Sequence, residues 1–89
     1  MVPNAITYGA LISACEKGAR PEQALKVFGA MIQQGLVPNA ITYNALISAC
    51  EKGKKSEEAL KVFVAMVQQG VVPDAITYSA LNIACEKSK

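Results

Sequence analysis

The sequence predicts an all-α fold, an α-α superhelix of helix-turn-helix repeats with five helices. A segment that begins VPNAITY at Val2 returns at Val37 and, as VPDAITY, at Val72, so the period is 35 residues. Residues 2–35 and 37–70 differ at only seven of 34 positions. Apolar residues within each copy recur with helical spacing and show no strand-like alternation. A fixed period of this length is typical of solenoids, in which one helical hairpin stacks on the next.

The first helix of each copy is predicted at 5–17, 40–52 and 75–87. Asn4 suits an N-cap, and Gly18 suits the C′ position that ends a helix. At about 100° per residue, one face of the first copy is apolar and predicted to form the core. That face carries Tyr8, Leu11, Ile12 and Cys15. The opposite face carries Ile6, Ala10, Ser13 and Lys17, with Gly9 at its margin, and Ile6 recurs as Ile41 and Ile76.

The second helix is predicted at 21–34 and 56–69. Pro21 is favourable in a first helical turn, and Ser56 in the next copy is expected to act as a cap. Gly35 is expected to end the helix, and Pro38 prevents its continuation. The inner stripe of the first copy is predicted to be Ala24, Leu25, Phe28, Met31 and Ile32.

These elements divide the single domain, 1–89, into repeat 1 (5–39), repeat 2 (40–74) and a partial repeat 3 (75–89) that has only a first helix. We interpret the chain as a fragment of a longer array or as a minimal unit. A helical hairpin buries its apolar face against its neighbours. We therefore expect self-association through the exposed repeat ends.

Composition argues against several classes of protein. Apolar residues make up 52% of the chain and charged residues 18%, which is enough apolar content for a folded core, and the net charge is +2. No apolar run approaches the ~18 residues that a membrane span needs. Cys15, Cys50 and Cys85 are 35 residues apart and are predicted to be buried, reduced thiols. There is no histidine, no close cysteine pair and no glycine-rich phosphate loop, so we expect no metal, no cofactor and no enzymatic activity.

The recurring motifs carry a family resemblance. The period of 35 residues is accompanied by AITYNALISACEKG in the first helix, EEALKVFVAM in the second and GVVPD at the junction. Together they resemble the pentatricopeptide repeat (PPR) family over the whole chain. Tetratricopeptide repeats share the A-x-x-x-F of Ala24–Phe28, but their period is 34 and their W-x-x-L-G-x-x-Y motif is absent here.

The resemblance implies binding of single-stranded RNA, about one base per repeat. It implies three kinds of site residue. The residues expected to sandwich each base are Ile6, Ile41 and Ile76. The residues expected to contact the base edge, and so to read the base, are Gly9 with Asn39, Asn44 with Asp74, and Ser79. The residues expected to contact phosphates are Lys17, Lys52 and Lys87.

The resemblance also implies preferences and a location. Asn44 with Asp74 favours uracil, Gly9 with Asn39 leans toward adenine, and Ser79 resembles purine readers. The family suggests organelle RNA processing in a mitochondrion or chloroplast, although no transit peptide is recognisable in these residues.

Other interpretations stay open at this point. The groove of a repeat array also suits a peptide, so a protein-interaction scaffold is an alternative. A structural or engineered repeat with no activity of its own is another. The lysines at the ends of the first helices are equally explained by their favourable interaction with the helix dipole. Tyr8, Tyr43 and Tyr78 have the phase of core residues, which favours packing over base stacking.

Overall fold

The computed structural model describes residues 5–87 and consists, over that range, of α-helices and the turns that join them. The five helices are α1 (Ala5–Lys17), α2 (Pro21–Gln33), α3 (Ala40–Lys52), α4 (Ser56–Gln68) and α5 (Ala75–Lys87). The predicted all-α repeat superhelix is confirmed. The second helices end one residue earlier than predicted. The N-cap expected at Asn4 and the side chain of Lys87 lie outside the described part of the chain.

The helices form two layers. The first helices α1, α3 and α5 lie side by side, since α3 contacts both α1 and α5. The second helices form the other layer, with α2 packed on α1 and α3, and α4 packed on α3 and α5. The central helix α3 therefore has neighbours on every side but one. Its side chains Tyr43, Leu46, Ile47 and Cys50 are fully buried and form the middle of the core.

The leucine that recurs in the middle of each first helix is exposed in the first copy and buried in the other two. Leu46 and Leu81 are buried, whereas Leu11 is 47% exposed. A leucine at this position faces the preceding first helix, and α1 has no described helix on that side. The prediction that Leu11 belongs to the core is therefore wrong for this chain.

At the other end of the solenoid, side chains of α5 are exposed because no further helix of the described residues packs there. Tyr8 and Tyr43 are buried, but Tyr78 is 52% exposed, because α4 packs on only one side of α5 and no described second helix follows α5. Cys85 is exposed for the same reason, so the predictions that Tyr78 and Cys85 are core residues are wrong. Cys50, in contrast, is buried as predicted. Burial, together with the carboxylate of Glu58, raises the pKa of its thiol to about 11, so this thiol stays protonated near neutral pH.

The inner stripe of the second helices is narrower than the sequence indicates. Ala24 and Met31 are buried, whereas Ile32 is about half exposed. At about 100° per residue, Met31 lies within 20° of Ala24 around the helix, but Ile32 lies 80° away. Ile32 is thus at the edge of the stripe, and the prediction that it faces the core is wrong.

The turns explain how the helices end. Gly35 and Gly70 adopt left-handed backbone angles, with φ of 76° and 79°, as expected for residues that stop α2 and α4. After α1 the left-handed residue is Ala19, with φ of 53°, so the C′ role predicted for Gly18 is wrong. Ser56 is the first residue of α4 rather than its N-cap, so the capping predicted for it is wrong as well.

One glycine is required by a close approach between repeats. Gly53 has φ of −85°, which suits any residue, so its backbone conformation does not explain its identity. A Cβ atom added to Gly53 would lie 2.4 Å and 2.6 Å from ring atoms of Pro21, which starts α2 and is buried. The turn after α3 therefore packs directly against the start of the preceding second helix.

This contact makes a prediction about stability. We expect Gly53→Ala to lower the free energy of unfolding by about 1–3 kcal/mol, because the proline ring cannot rotate away from the added methyl group. The matched control is Gly18→Ala at the equivalent position of repeat 1, where the nearest atom to the added Cβ is 3.6 Å away on the flexible Arg20 side chain. Urea unfolding of both variants, followed by circular dichroism, checks this. Equal stability of the two variants would contradict the account of Gly53.

Candidate nucleic-acid interface

A row of isoleucines lies on the first-helix layer, one on each helix. Ile6, Ile41 and Ile76 are 81%, 72% and 66% exposed, although isoleucine is among the residues most often buried in proteins. They occupy the same position of their repeats and sit near the starts of α1, α3 and α5. We call the side of the layer that carries them the isoleucine face. Its regular exposed apolar side chains are suited to contact flat apolar groups.

Clefts separate adjacent first helices on the isoleucine face. The cleft between α1 and α3 has a volume of about 310 Å³ and the one between α3 and α5 about 320 Å³. Ile6 and Ile41 both line the first cleft, together with the predicted base-reading pair Gly9 and Asn39. Ser79 lines the second cleft beside Ile76. The first cleft thus brings together Ile6, Ile41, Gly9 and Asn39, whereas Asn44 and Asp74 are not among the residues that line the second cleft.

The last residue of a repeat also caps the next first helix. Asn39 is the N-cap of α3, and its side-chain oxygen accepts hydrogen bonds from the backbone N–H of Thr42 at 3.0 Å and from the Thr42 hydroxyl at 3.1 Å. Because Oδ1 is used in this way, the amide nitrogen is the group that Asn39 has left to offer to a ligand. Capping therefore gives this side chain a defined orientation.

Asp74 occupies the equivalent capping position at the start of α5. Its Oδ1 accepts from the backbone N–H of Thr77 at 3.0 Å, and its own backbone N–H donates to the Thr77 hydroxyl oxygen at 3.2 Å. The bond from the Thr77 backbone lowers the pKa of the Asp74 carboxyl, with further lowering by the Asn44 side chain. The carboxyl group is consequently ionised near neutral pH and acts only as a hydrogen-bond acceptor.

Asn44 and Asp74, 30 residues apart in sequence, meet at the junction of repeat 2 with α5. Asn44 Nδ2 donates to Asp74 Oδ1 at 3.3 Å, and the Thr77 hydroxyl donates to Asn44 Oδ1. Asp74 is exposed and Asn44 is half-buried, whereas Thr77 is fully buried beneath them. The arrangement presents an amide and a carboxylate side by side toward solvent.

The predicted phosphate-contacting lysines differ in their surroundings. Lys17 is exposed, at the end of α1. The ammonium group of Lys52 is partly exposed and forms an ion pair with Glu16, which lies on α1. Lys52 therefore joins two repeats in addition to any role toward a ligand, and sequence reasoning missed its partner. Glu16 and Lys52 are 36 residues apart and lie on different helices, so no local sequence pattern identifies the pair.

The threonines of the AITY motif are a second group that sequence reasoning missed. Thr42 and Thr77 are buried polar residues that hold the capping side chains Asn39 and Asp74. The pattern Asn/Asp-x-x-Thr, in which an N-cap precedes a hydrogen-bonding residue by three positions, is the signal that identifies them.

Two further kinds of site are not found among residues 5–87. The described residues contain no group of three or more metal-binding side chains. Over the same range, no helix is long and apolar enough to cross a membrane.

Comparison with known proteins gives consistent matches. The model of the PPR repeat family matches residues 3–52 and 38–87. The crystal structure of the pentatricopeptide repeat protein PPR10 from maize is similar over 97% of this chain, with a TM-score of 0.86 and 34% sequence identity. The chain spans 12% of that protein's length. No curated protein sequence matches the chain significantly.

Proposed function

The chain belongs to the PPR repeat family, and from this premise we propose that it binds single-stranded RNA on its isoleucine face, with about one base per repeat. The observation that carries the proposal is the row of exposed isoleucines beside the polar pair Asn44–Asp74. Apolar side chains in a regular row suit the flat faces of successive bases, and the polar pair suits a base edge. PPR repeats are scaffolds rather than enzymes, in agreement with the expectation that the chain has no catalytic residues.

We propose that base reading is concentrated at Asn44 and Asp74. Asn44 keeps one N–H after bonding Asp74, and Asp74 keeps its second oxygen as an acceptor. A donor next to an acceptor is complementary to the uracil edge, where the N3–H lies beside a carbonyl oxygen. This complementarity supports the uracil preference that the family resemblance implies. Gly9 with Asn39 and Ser79 are proposed to read the neighbouring bases with lower selectivity.

The lysines at the ends of the first helices are proposed to contact the phosphates. Lys17 and Lys52 lie on the same layer as the isoleucine face, and phosphate contacts position a nucleic acid without reading its sequence. The ion pair with Glu16 holds Lys52 and partly neutralises its charge. Glu16 therefore opposes phosphate binding while it orients the lysine.

This leads to a paired prediction. We expect Lys52→Ala to weaken binding of all sequences alike and to lower the slope of log K against log salt by about 1. We expect Glu16→Gln to strengthen binding and steepen that slope, because the ammonium group is no longer paired with a carboxylate. Affinities for oligo(U) and oligo(A) at two salt concentrations check both variants. A change in base preference for Lys52→Ala, or weaker binding for Glu16→Gln, would contradict the assignment.

Binding of short oligo(U), oligo(A) and oligo(C), measured by NMR titration at low and high salt, tests the proposed function. We expect millimolar to high-micromolar affinity that falls with salt and is best for oligo(U). Each stacked base contributes about 1–3 kcal/mol, and two or three bases barely exceed the cost of association. Nanomolar binding of a trinucleotide, or no binding to any oligonucleotide, would contradict the proposal and would favour a peptide-binding scaffold.

We also propose that this 89-residue chain self-associates through its repeat ends. Leu11 is uncovered at one end, and Tyr78 is uncovered at the other. Exposed apolar surface of this kind favours association. Sedimentation velocity at increasing concentration is expected to show faster-moving species. A strictly monomeric profile at high concentration would refute this.

A further inference from the structure

A buried threonine lies under the proposed base-reading pair. Thr77 is fully buried, and its hydroxyl oxygen is in contact with three polar groups. These are the side-chain oxygen of Asn44, the side-chain Oδ1 of Asp74 at 3.0 Å, and the backbone N–H of Asp74 at 3.2 Å. The hydroxyl accepts from the backbone N–H, and its single proton is donated to one of the two side chains.

The partners of Asp74 indicate where that proton goes. Its Oδ1 already accepts from the Thr77 backbone N–H and from Asn44 Nδ2. Asn44 Oδ1 accepts from the Thr77 hydroxyl and has no other partner among the described hydrogen bonds. The Thr77 hydroxyl therefore donates its hydrogen bond to Asn44, where it satisfies the amide oxygen.

This hydrogen bond also selects one of the two orientations of the Asn44 amide. If the amide were flipped, its oxygen would lie against the carboxylate of Asp74, acceptor against acceptor. Its nitrogen would then face the Thr77 hydroxyl. Thr77 and Asp74 thus act together, and the amide keeps one N–H that is not bonded to either of them.

We propose that Thr77 is a positioning residue for base selection: by holding Asn44 Oδ1, it makes the amide nitrogen the group that Asn44 presents to a base. This inference rests on the proposed RNA-binding function and adds a residue that does not itself touch the base. Its consequence is that base preference at the second repeat depends on a buried hydroxyl group as well as on the side chains of Asn44 and Asp74.

Repeat 1 contains a natural control. Thr42 is the equivalent threonine, is buried, and its hydroxyl donates to the cap residue Asn39 at 3.1 Å. The position that corresponds to Asn44 is Gly9, which has no side chain to orient. Loss of the Thr42 hydroxyl should therefore weaken the start of α3 without changing base preference at the second repeat.

The test compares Thr77→Val, Thr77→Ser and Thr42→Val in the full chain by NMR titration with oligo(U) and oligo(C). Since one neutral hydrogen bond is at stake, we expect Thr77→Val to reduce the oligo(U)-to-oligo(C) affinity ratio roughly two- to tenfold. Thr77→Ser keeps the hydroxyl and should keep the ratio. Thr42→Val should lower stability about as much as Thr77→Val does, with the ratio unchanged.

A second measurement does not depend on how the variants fold. In the wild-type chain, the Asn44 side-chain amide protons, identified by their loss in Asn44→Ser, should show nuclear Overhauser contacts to the β-protons of Asp74. Absence of these contacts would overturn the inference, as would an unchanged ratio in Thr77→Val. A wild-type chain that binds no oligonucleotide would instead refute the proposed function, so the two failures are distinguishable.

Discussion

Replacing Leu46 with alanine is expected to lower the free energy of unfolding by about 2–5 kcal/mol, the range for a fully buried leucine. Leu46 has no exposed surface and lies in the middle of α3, the helix that contacts all four others. A domain of this size is stabilised by only about 5–15 kcal/mol. The variant should therefore unfold at a much lower urea concentration, which circular dichroism at 5–10 °C measures.

The matched control is Leu11→Ala. Leu11 has the same position in repeat 1 and the same neighbours in sequence, yet it is 47% exposed. We expect its replacement to cost less than about 1 kcal/mol, as for other substitutions outside the core. Similar losses for the two variants would show that the ends of the solenoid are covered in solution, as they would be in a self-associated chain. Measuring both at several protein concentrations separates that case from an error in the fold.

Asn44→Ser is expected to have the largest effect on base selection. The family resemblance implies that serine with aspartate reads guanine, so the uracil preference proposed for the second repeat should shift toward guanine. Good bidentate contacts to a base are worth about 1–3 kcal/mol of discrimination, which corresponds to roughly five- to 150-fold in affinity ratio. Affinities are best compared with this repeat placed in a longer array, where total binding is stronger.

The fold should tolerate this change. Ser79 already stands at the same position of the third copy, and Asn44 is only partly buried. The loss of its two bonds, to Asp74 and Thr77, should lower the free energy of unfolding by about 1–3 kcal/mol without changing the fold. If Asn44→Ser leaves base preference unchanged while Lys52→Ala alters it, the roles of reader and phosphate contact are wrongly assigned.

Most of the fold could be predicted from the periodicity of the sequence. The 35-residue repeat and the capping and proline signals predict all five helices within one residue of their observed ends, because these signals act locally. Burial was predicted less well. Leu11 and Leu46 lie in helices that differ in sequence only at Gly9 and Asn44, and the presence of a neighbouring first helix accounts for one leucine being exposed and the other buried. The same reasoning applies to Tyr78 and Cys85 on α5.

The candidate site was predictable for the residues that belong to a family pattern. Asn44 and Asp74 were named from their positions, and the structure places them 3.3 Å apart. The capping role of Thr77 can be read from the Asn/Asp-x-x-Thr pattern, but its contact with Asn44 and the Glu16–Lys52 ion pair cannot, since each joins residues more than 30 apart across the junction between repeats. Such contacts depend on how two hairpins stack, and local sequence patterns do not specify that geometry.

The most direct test of the central claim is a map of where RNA contacts the protein. Backbone and side-chain NMR signals would be recorded while oligo(U) is added to the labelled chain. RNA binding on the isoleucine face predicts that the largest shifts occur at Ile6, Ile41 and Ile76 and at the Asn44 side-chain amide, with little change at the exposed residues of α2 and α4. Shifts concentrated on α2 and α4, or spread evenly over the surface, would contradict it.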